Sequence, residues 1–191
     1  IHTYVQNNSF FDALELLKEV RKSTGIYVFG GIPRFSSGRT LIRTISAGVI
    51  LQTENDPESS FGNWRVVTEK QPTPEQLEQI KIAWKFIARI RSNTVAVIDA
   101  VLPMTRGIGT GQTSRVLATQ IALERAGEYT HGAILASDSF FPFPDSVRLA
   151  GERGIAVIVQ QGSSVNDQAS IDAANELGIT MIVTGQRLFW H

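Results

Sequence analysis

The residues best able to do chemistry stand at the ends of apolar runs. In "GIGTGQTSR", Gly107 to Arg115, three glycines at alternate positions lead into Gln112, two hydroxyl residues and Arg115. Residues without a Cβ let backbone N–H groups approach an anion, and the N-terminus of a following helix adds a favourable dipole. The spacing is not the dinucleotide fingerprint, and no Lys follows as in a P-loop. A ligand loop and a plain turn therefore both stay open. In "ASDSFFPFPD", 136–145, Ser137 and Asp138 precede three Phe and two Pro. Aromatic rings beside prolines can form a rigid apolar wall for a flat ring. Phe143 reads as core, whereas the Phe140–Pro142 segment reads equally as core or wall. In "QQGSSVND", 160–167, a helix cap is the simpler reading. Arg187, in "TGQRLFWH", could grip a phosphate with two parallel hydrogen bonds or be merely solvated. Asn93 separates a helix from a buried strand, so its amide either caps the helix or faces a site.

These residues need elements to hold them. Ser9 caps a helix through Phe10, Leu14, Leu17 and Val20 that Gly25 closes, and "IYVF" at 26–29 reads as a short buried strand. The stretch at 33–39 is irregular and polar, and 46–52 and 64–68 read as strands. The clearest helix follows Thr73, with Pro74 at its first position, Gln76 completing a capping box, and Leu77, Ile80, Trp84, Ile87 and Ala88 on one stripe. A strand at 94–98 precedes the glycine stretch. A helix over Thr113–Arg125, with Val116, Leu117, Ile121 and Ala122 on its apolar face, ends at Gly127. Strands at 132–137, 154–160 and 178–184 alternate with helices capped by Asp145 or Ser146 and by Asp167. Helices alternating with wholly apolar strands predict an α/β fold around a largely parallel sheet covered on both faces.

The chain has 191 residues, the length of one domain, and its 18 basic and 18 acidic residues cancel. No global field draws in nucleic acid or an anionic membrane. No run reaches the roughly 18 apolar residues that span a bilayer, and no secretory leader pattern precedes the first helix. With no cysteine, disulfides, zinc–thiolate sites and a Cys nucleophile are excluded. The three histidines, His2, His131 and His191, do not pair at metal-ligand spacing. Position 1 is Ile1, not Met, which suggests a processed or partial chain.

Six stretches in order, "RVVTEKQPTPEQLE", "SNTVAV", "GIGTGQTSRV", "SDSFFPFPDSV", "GIAVIVQQGSS" and "ELGITMIVTGQRLFWH", resemble the C-terminal half of aminoimidazole carboxamide ribonucleotide (AICAR) transformylase. In that family the domain usually lies behind inosine monophosphate cyclohydrolase in one bifunctional enzyme of purine biosynthesis. The resemblance runs from about Ile26 to His191, weakly before Trp64 and strongly after it. It implies a cytidine-deaminase-like three-layer α/β/α fold with a mostly parallel or mixed sheet, with residues 1–191 as the second of two such subdomains and 1–25 as a helical lead-in. The implied enzyme is cytoplasmic and homodimeric, with active sites across the dimer interface. It moves a formyl group from 10-formyltetrahydrofolate to the 5-amino group of AICAR, and the product then cyclises elsewhere.

Residue by residue, the resemblance implies that Asn93 lies beside the reacting amine and formyl group, and that Arg187 binds the nucleotide phosphate. Arg115, Val116, Phe140, Pro142, Asp145 and Ser164 match the folate pocket, which inclines the glycine stretch towards a ligand loop. Ser92, Asp138 and His191 resemble a structural site for a monovalent cation such as potassium. Two local departures stand out: "FFPFPD" replaces the usual "FFPFRD" at Pro144, and "GSS" replaces "GGS" at Gly162–Ser164. A larger one is that the family's Lys-His motif, whose imidazole takes a proton from the weakly nucleophilic amine, does not occur in this chain. The chain alone is therefore expected to turn over weakly at most. Two other readings remain: a stand-alone paralogue that binds nucleotide or folate without catalysis, and a generic phosphate-binding α/β domain.

Overall fold

The computed structural model describes Glu15, Glu19 and residues 39–190, and the chain divides into two compact units, 1–36 and 37–191. Glu15 and Glu19 are helical. The rest of the helix read over Ser9–Gly25, the strand at 26–29 and His191 lie outside the described residues.

The second unit opens with a hairpin, β1 (Thr40–Ile45) and β2 (Gly48–Thr53). The sequence suggested one strand over 46–52. Instead Ser46 and Ala47 form a two-residue turn, and Ile45 pairs with Gly48. A 3-10 turn (Pro57–Asn63) leads to the two-residue β3 (Arg65–Val66). Then come α1 (Pro74–Ile87), β4 (Val95–Ile98), β5 (Thr105–Gly109), α2 (Arg115–Ala126), β6 (Ile134–Ser137), α3 (Asp145–Glu152), β7 (Val157–Gln160), α4 (Asp167–Glu176) and β8 (Thr180–Val183).

Beside the hairpin, a six-stranded sheet runs β3-β8-β7-β6-β4-β5. Only its centre, β6-β7-β8, is parallel. β4 is antiparallel to both β6 and β5, and β3 to β8. The sheet is therefore mixed, because β5 returns beside β4 by a short connection instead of crossing over through a helix. The fold is a three-layer α/β/α arrangement.

Alternation along the buried strands builds two cores. Val95, Val97, Leu135, Ile158 and Met181 face α2, α3 and α4. Ala96, Ile98, Ile134, Ala136, Val157, Val159 and Ile182 face α1, whose Ile80, Trp84 and Ile87 are fully buried. The Thr73 capping box forms as the sequence suggests: Thr73 Oγ1 accepts from Gln76 N at 3.2 Å, and Gln76 Oε1 accepts from Thr73 N at 2.9 Å. After β4, Asp99 turns the chain. Its carboxylate accepts from Leu102 N and Val101 N and pairs with Arg106 at 2.6 Å. The two backbone donors and the guanidinium hold its carboxyl down to about 2.

The glycine stretch has a role the sequence did not suggest. Gly107 and Gly109 lie within β5, not in a ligand loop. A Cβ on Gly107 would lie 2.0 Å from Ala122 O, and one on Gly109 would lie 2.0 Å from Ala118 O. Two missing side chains thus let α2 lie directly on the strand. The buried face of α2 accordingly consists mostly of small residues, Ala118, Ala122 and Ala126, together with Thr119 and Leu123. Leu117, expected on that face, is exposed. Because backbone carbonyls, not flexible side chains, occupy the space, Gly109→Ala must push the helix off the sheet. We expect a loss on the order of 3 kcal/mol or more in equilibrium denaturation; a loss under about 1 kcal/mol would contradict this packing.

Candidate functional site

The parallel strands β6, β7 and β8 end at Ser137, Gln160 and Val183. β4 runs the other way, with Val95 opposite both Ser137 and Gly109, so the residues entering β4 and leaving β5 gather at the same end. Ligands in open α/β sheets collect beyond the carboxyl ends of the strands. Asn93, Arg115, Asp138, Phe140, Gln161 and Arg187 all follow or precede strands at this end.

Their centre is a buried ion pair. The helix read from Thr113 starts at Arg115, the first residue of α2, which is capped by Ser114, whose Oγ accepts from Leu117 N at 3.2 Å. A cation at a helix N-terminus is disfavoured by the helix dipole. Here it is held by Asp138, whose side chain is fully buried while that of Arg115 is 8% exposed. Arg115 Nη1 donates to Asp138 Oδ1 and, at 3.0 Å, to Ser137 Oγ. Its Nη2 donates to Asn93 Oδ1 at 3.0 Å. The other carboxylate oxygen of Asp138 accepts from Thr94 N at 3.2 Å. Its backbone joins three segments, donating to Thr94 O at 3.3 Å and accepting from Leu188 N at 2.9 Å. Arg115 keeps two N–H groups, at Nε and on Nη2, without a partner among the described residues.

The Asn93 amide is fixed at both ends. Its Nδ2 donates to Gln112 O at 2.9 Å, and its Oδ1 accepts from Arg115. A carbonyl partner on one side and a guanidinium on the other dictate which end is oxygen. One amide proton remains to be offered to a ligand. Asn93 does not cap α1, whose C-cap is Ala88.

A chain of polar contacts continues from this centre to Arg187. Ser137 Oγ donates to Ser139 O at 2.9 Å, and Ser139 Oγ donates to Gln161 Oε1 at 2.9 Å. Arg187 Nε donates to the same oxygen at 3.1 Å. The Arg187 guanidinium carbon lies 4.9 Å from the Phe189 ring centroid and 5.8 Å from that of Phe140. Asn93, Arg115, Asp138 and Arg187 are thus parts of one connected hydrogen-bond network.

The aromatic segment divides differently from the sequence reading. Phe141 is the core residue, with its backbone N–H held by Gln160 Oε1 at 2.9 Å. Phe143, read as core, is 59% exposed. Phe140 and Pro142 are half-buried, and Asn166 Nδ2 donates to Pro142 O at 2.8 Å, joining this loop to the one after β7. Asp145 is exposed at the first turn of α3 and Ser164 is half-buried, its Oγ accepting from Asn166 N at 3.2 Å. Val116 is half-buried on α2. Neither Asp145 nor Ser146 stands at the N-cap of α3; Pro144 occupies that position without a side-chain hydrogen bond, at a φ of −74° that proline adopts without strain. Asp167 likewise is not the cap of α4, which is Asn166; its Oδ2 accepts from Ser163 N at 2.6 Å.

For the suggested cation, Asp138 supplies one negative charge, already matched by Arg115. Ser92 Oγ accepts from Trp190 N at 3.0 Å, and His191 lies outside the described residues. Among the described residues no group of three or more His, Cys, Asp and Glu could hold a metal. The fit is therefore poor: a cation would have to share Asp138 with a guanidinium and otherwise rest on neutral oxygens.

Ser139, Gln160, Gln161, Gln112 and Thr94 escaped the sequence reading. For Ser139, Gln160 and Gln161 the signal was present: polar residues extend the apolar strands at one end, in "LASDS" and "VIVQQ".

The chain belongs to a family of two-activity enzymes: the model of the AICARFT/IMPCHase bienzyme family matches residues 7–125. Among curated proteins, it is 43% identical to the bifunctional purine biosynthesis protein PurH of Nostoc sp. (strain PCC 7120 / SAG 25.82 / UTEX 2576), over 93% of this chain and 35% of that protein. It is 49% identical to the PurH of Trichodesmium erythraeum (strain IMS101), over 78% of this chain and 29% of that protein. The PurH of Microcystis aeruginosa (strain NIES-843 / IAM M-2473) is 47% identical over 84% of this chain and 31% of its own length. The chain thus spans about a third of the length of these relatives.

The second departure from the family pattern carries a structural cost. Ser163 stands at φ 71°, in the left-handed region, where the resembling motif has glycine. A side chain there costs roughly 1–2 kcal/mol, against roughly 0.5–1 kcal/mol of extra unfolded-state entropy for glycine. Ser163→Gly is therefore expected to stabilise the protein by about 0.5–1 kcal/mol, read as a higher denaturation midpoint at unchanged slope; a lower midpoint would contradict the assigned backbone conformation.

Proposed function

We propose that this chain forms the second subdomain of the formyl-transferring half of a purine-biosynthesis bienzyme, acting on AICAR and 10-formyltetrahydrofolate. The observation that carries the reading is the unbroken run of contacts from Asn93 through Arg115, Ser137, Ser139 and Gln161 to Arg187. It puts an oriented amide at one end of a surface and an exposed cation at the other. A nucleotide needs that pairing, because its phosphate and its reacting base amine lie at opposite ends.

In the proposed reaction the 5-amino nitrogen of AICAR attacks the formyl carbon. The N–C bond forms, the carbonyl π electrons move to oxygen, and the amine proton is taken up by a base. The tetrahedral adduct collapses with cleavage of the bond to folate nitrogen, which takes up one proton, balancing the one lost by the amine. The free N–H of Asn93 can hold the amine or the developing oxyanion without titrating. Arg187 meets the phosphate with its terminal nitrogens, which have no partner among the described residues. The half-buried Phe140 and Pro142 and the exposed Phe143 offer an apolar wall for the folate ring. The proton acceptor is assigned to a Lys-His segment outside these 191 residues. A homodimer completes each site in this reading.

Two substitutions test the assignment by their kinetic signatures in the intact protein. Arg187→Ala is expected to raise KM for AICAR roughly ten- to a hundredfold with a small change in kcat, as expected for loss of a charged hydrogen bond to the bound ligand. Asn93→Ala should lower kcat about a hundredfold with KM little changed. The 191-residue chain alone should turn over weakly at most. Substantial formylation by that chain would overturn the assignment of acid–base chemistry elsewhere, and unchanged kinetics in both variants would overturn the site.

A further inference from the structure

We propose that Gln161 is a positioning residue that holds the Arg187 guanidinium end-on to the phosphate of the bound nucleotide; this rests on the reading of Arg187 as the phosphate-binding residue. An exposed arginine on its own carries about 2 kcal/mol of rotamer entropy and can approach an anion by either of two edges, Nε with one Nη or both Nη together. Here one edge is taken. Arg187 Nε donates to Gln161 Oε1 at 3.1 Å, while its terminal nitrogens have no partner among the described residues. Phe189 and Phe140 sit beside the guanidinium, with centroids 4.9 and 5.8 Å from its central carbon, and limit its swing. The edge left for a ligand is the Nη1–Nη2 fork.

Gln161 is itself held. It follows the last residue of β7, and its backbone oxygen accepts from Gly185 N at 2.9 Å, two residues before Arg187. Its side-chain oxygen accepts from Ser139 Oγ at 2.9 Å as well as from Arg187, which occupies both lone pairs. Ser139 is buried, and its backbone oxygen accepts from Ser137 Oγ. The support for the cation thus runs back to the buried Arg115–Asp138 pair. The choice of an amide over a carboxylate has a consequence. Gln161 orients the guanidinium but leaves its full charge for the ligand, whereas a glutamate would neutralise it and repel a phosphate.

Calorimetric titration of the intact protein separates the possibilities, using AICAR and its phosphate-free riboside as probes for wild type, Gln161→Ala, Gln161→Glu, Arg187→Ala and the double variant Gln161→Ala/Arg187→Ala. Loss of pre-ordering alone is expected to weaken AICAR binding about three- to tenfold in Gln161→Ala. Gln161→Glu, which keeps the acceptor but adds a charge, should weaken it further. The riboside should bind all variants like wild type, and Gln161→Ala should add nothing in the Arg187→Ala background. If Arg187→Ala weakens AICAR but both Gln161 variants bind as wild type does, the positioning role is wrong and the phosphate assignment stands. If Arg187→Ala itself leaves AICAR affinity unchanged, the underlying reading fails. Equal losses for AICAR and riboside would mean that Gln161 only supports the fold, which also overturns the proposal.

Discussion

The site depends on one buried ion pair. Asp138 lies at the end of a central strand with no solvent exposure, and Arg115 opens the helix packed on the edge strand. Desolvating either charge alone would cost several kcal/mol, so each is tolerable only because the other is present. Their remaining bonds reach Asn93, Thr94 and Ser137. The pair therefore does more than neutralise itself. It fixes the start of β4, the end of β6 and the start of α2 against one another, and it dictates the orientation of the Asn93 amide.

For Arg115 to reach Asp138, α2 must lie close to the sheet. Gly107 and Gly109 make that approach possible by leaving carbonyls of Ala122 and Ala118 where side chains would otherwise be. Packing and chemistry are coupled here. The glycines contribute to the site by setting the height of a helix above a strand, and the first residue of that helix then meets a carboxylate at the sheet's end. On the far side, Gln161 and the two Phe rings do for Arg187 what Asp138 does for Arg115, but without cancelling its charge.

Much of this was legible in the sequence, because the strongest local signals act alone. The capping box after Thr73 forms as read, and the apolar strands read at 94–98, 132–137, 154–160 and 178–184 each contain an observed four-residue strand, at 95–98, 134–137, 157–160 and 180–183. What misled were signals whose meaning is set by a distant partner. Alternating glycines are consistent with an anion loop or with a strand pressed by a helix, and only the position of α2 decides between them. Phe141 and Phe143 are the same residue type two positions apart in one loop; the buried one is Phe141, whose backbone N–H the Gln160 amide oxygen holds. Strand direction was equally hidden, since a wholly buried antiparallel strand is as apolar as a parallel one. The network of Ser137, Ser139 and Gln161 could have been suspected only from polar residues clustering at one end of apolar runs.

Equilibrium unfolding of Arg115→Met, Asp138→Leu and the double variant tests the dependence on the buried pair most directly. Each single substitution leaves an unpaired buried charge and is expected to cost about 3–5 kcal/mol. The double variant, with neither charge, should cost far less than the sum of the two. Single losses below about 1 kcal/mol that simply add in the double variant would contradict the account.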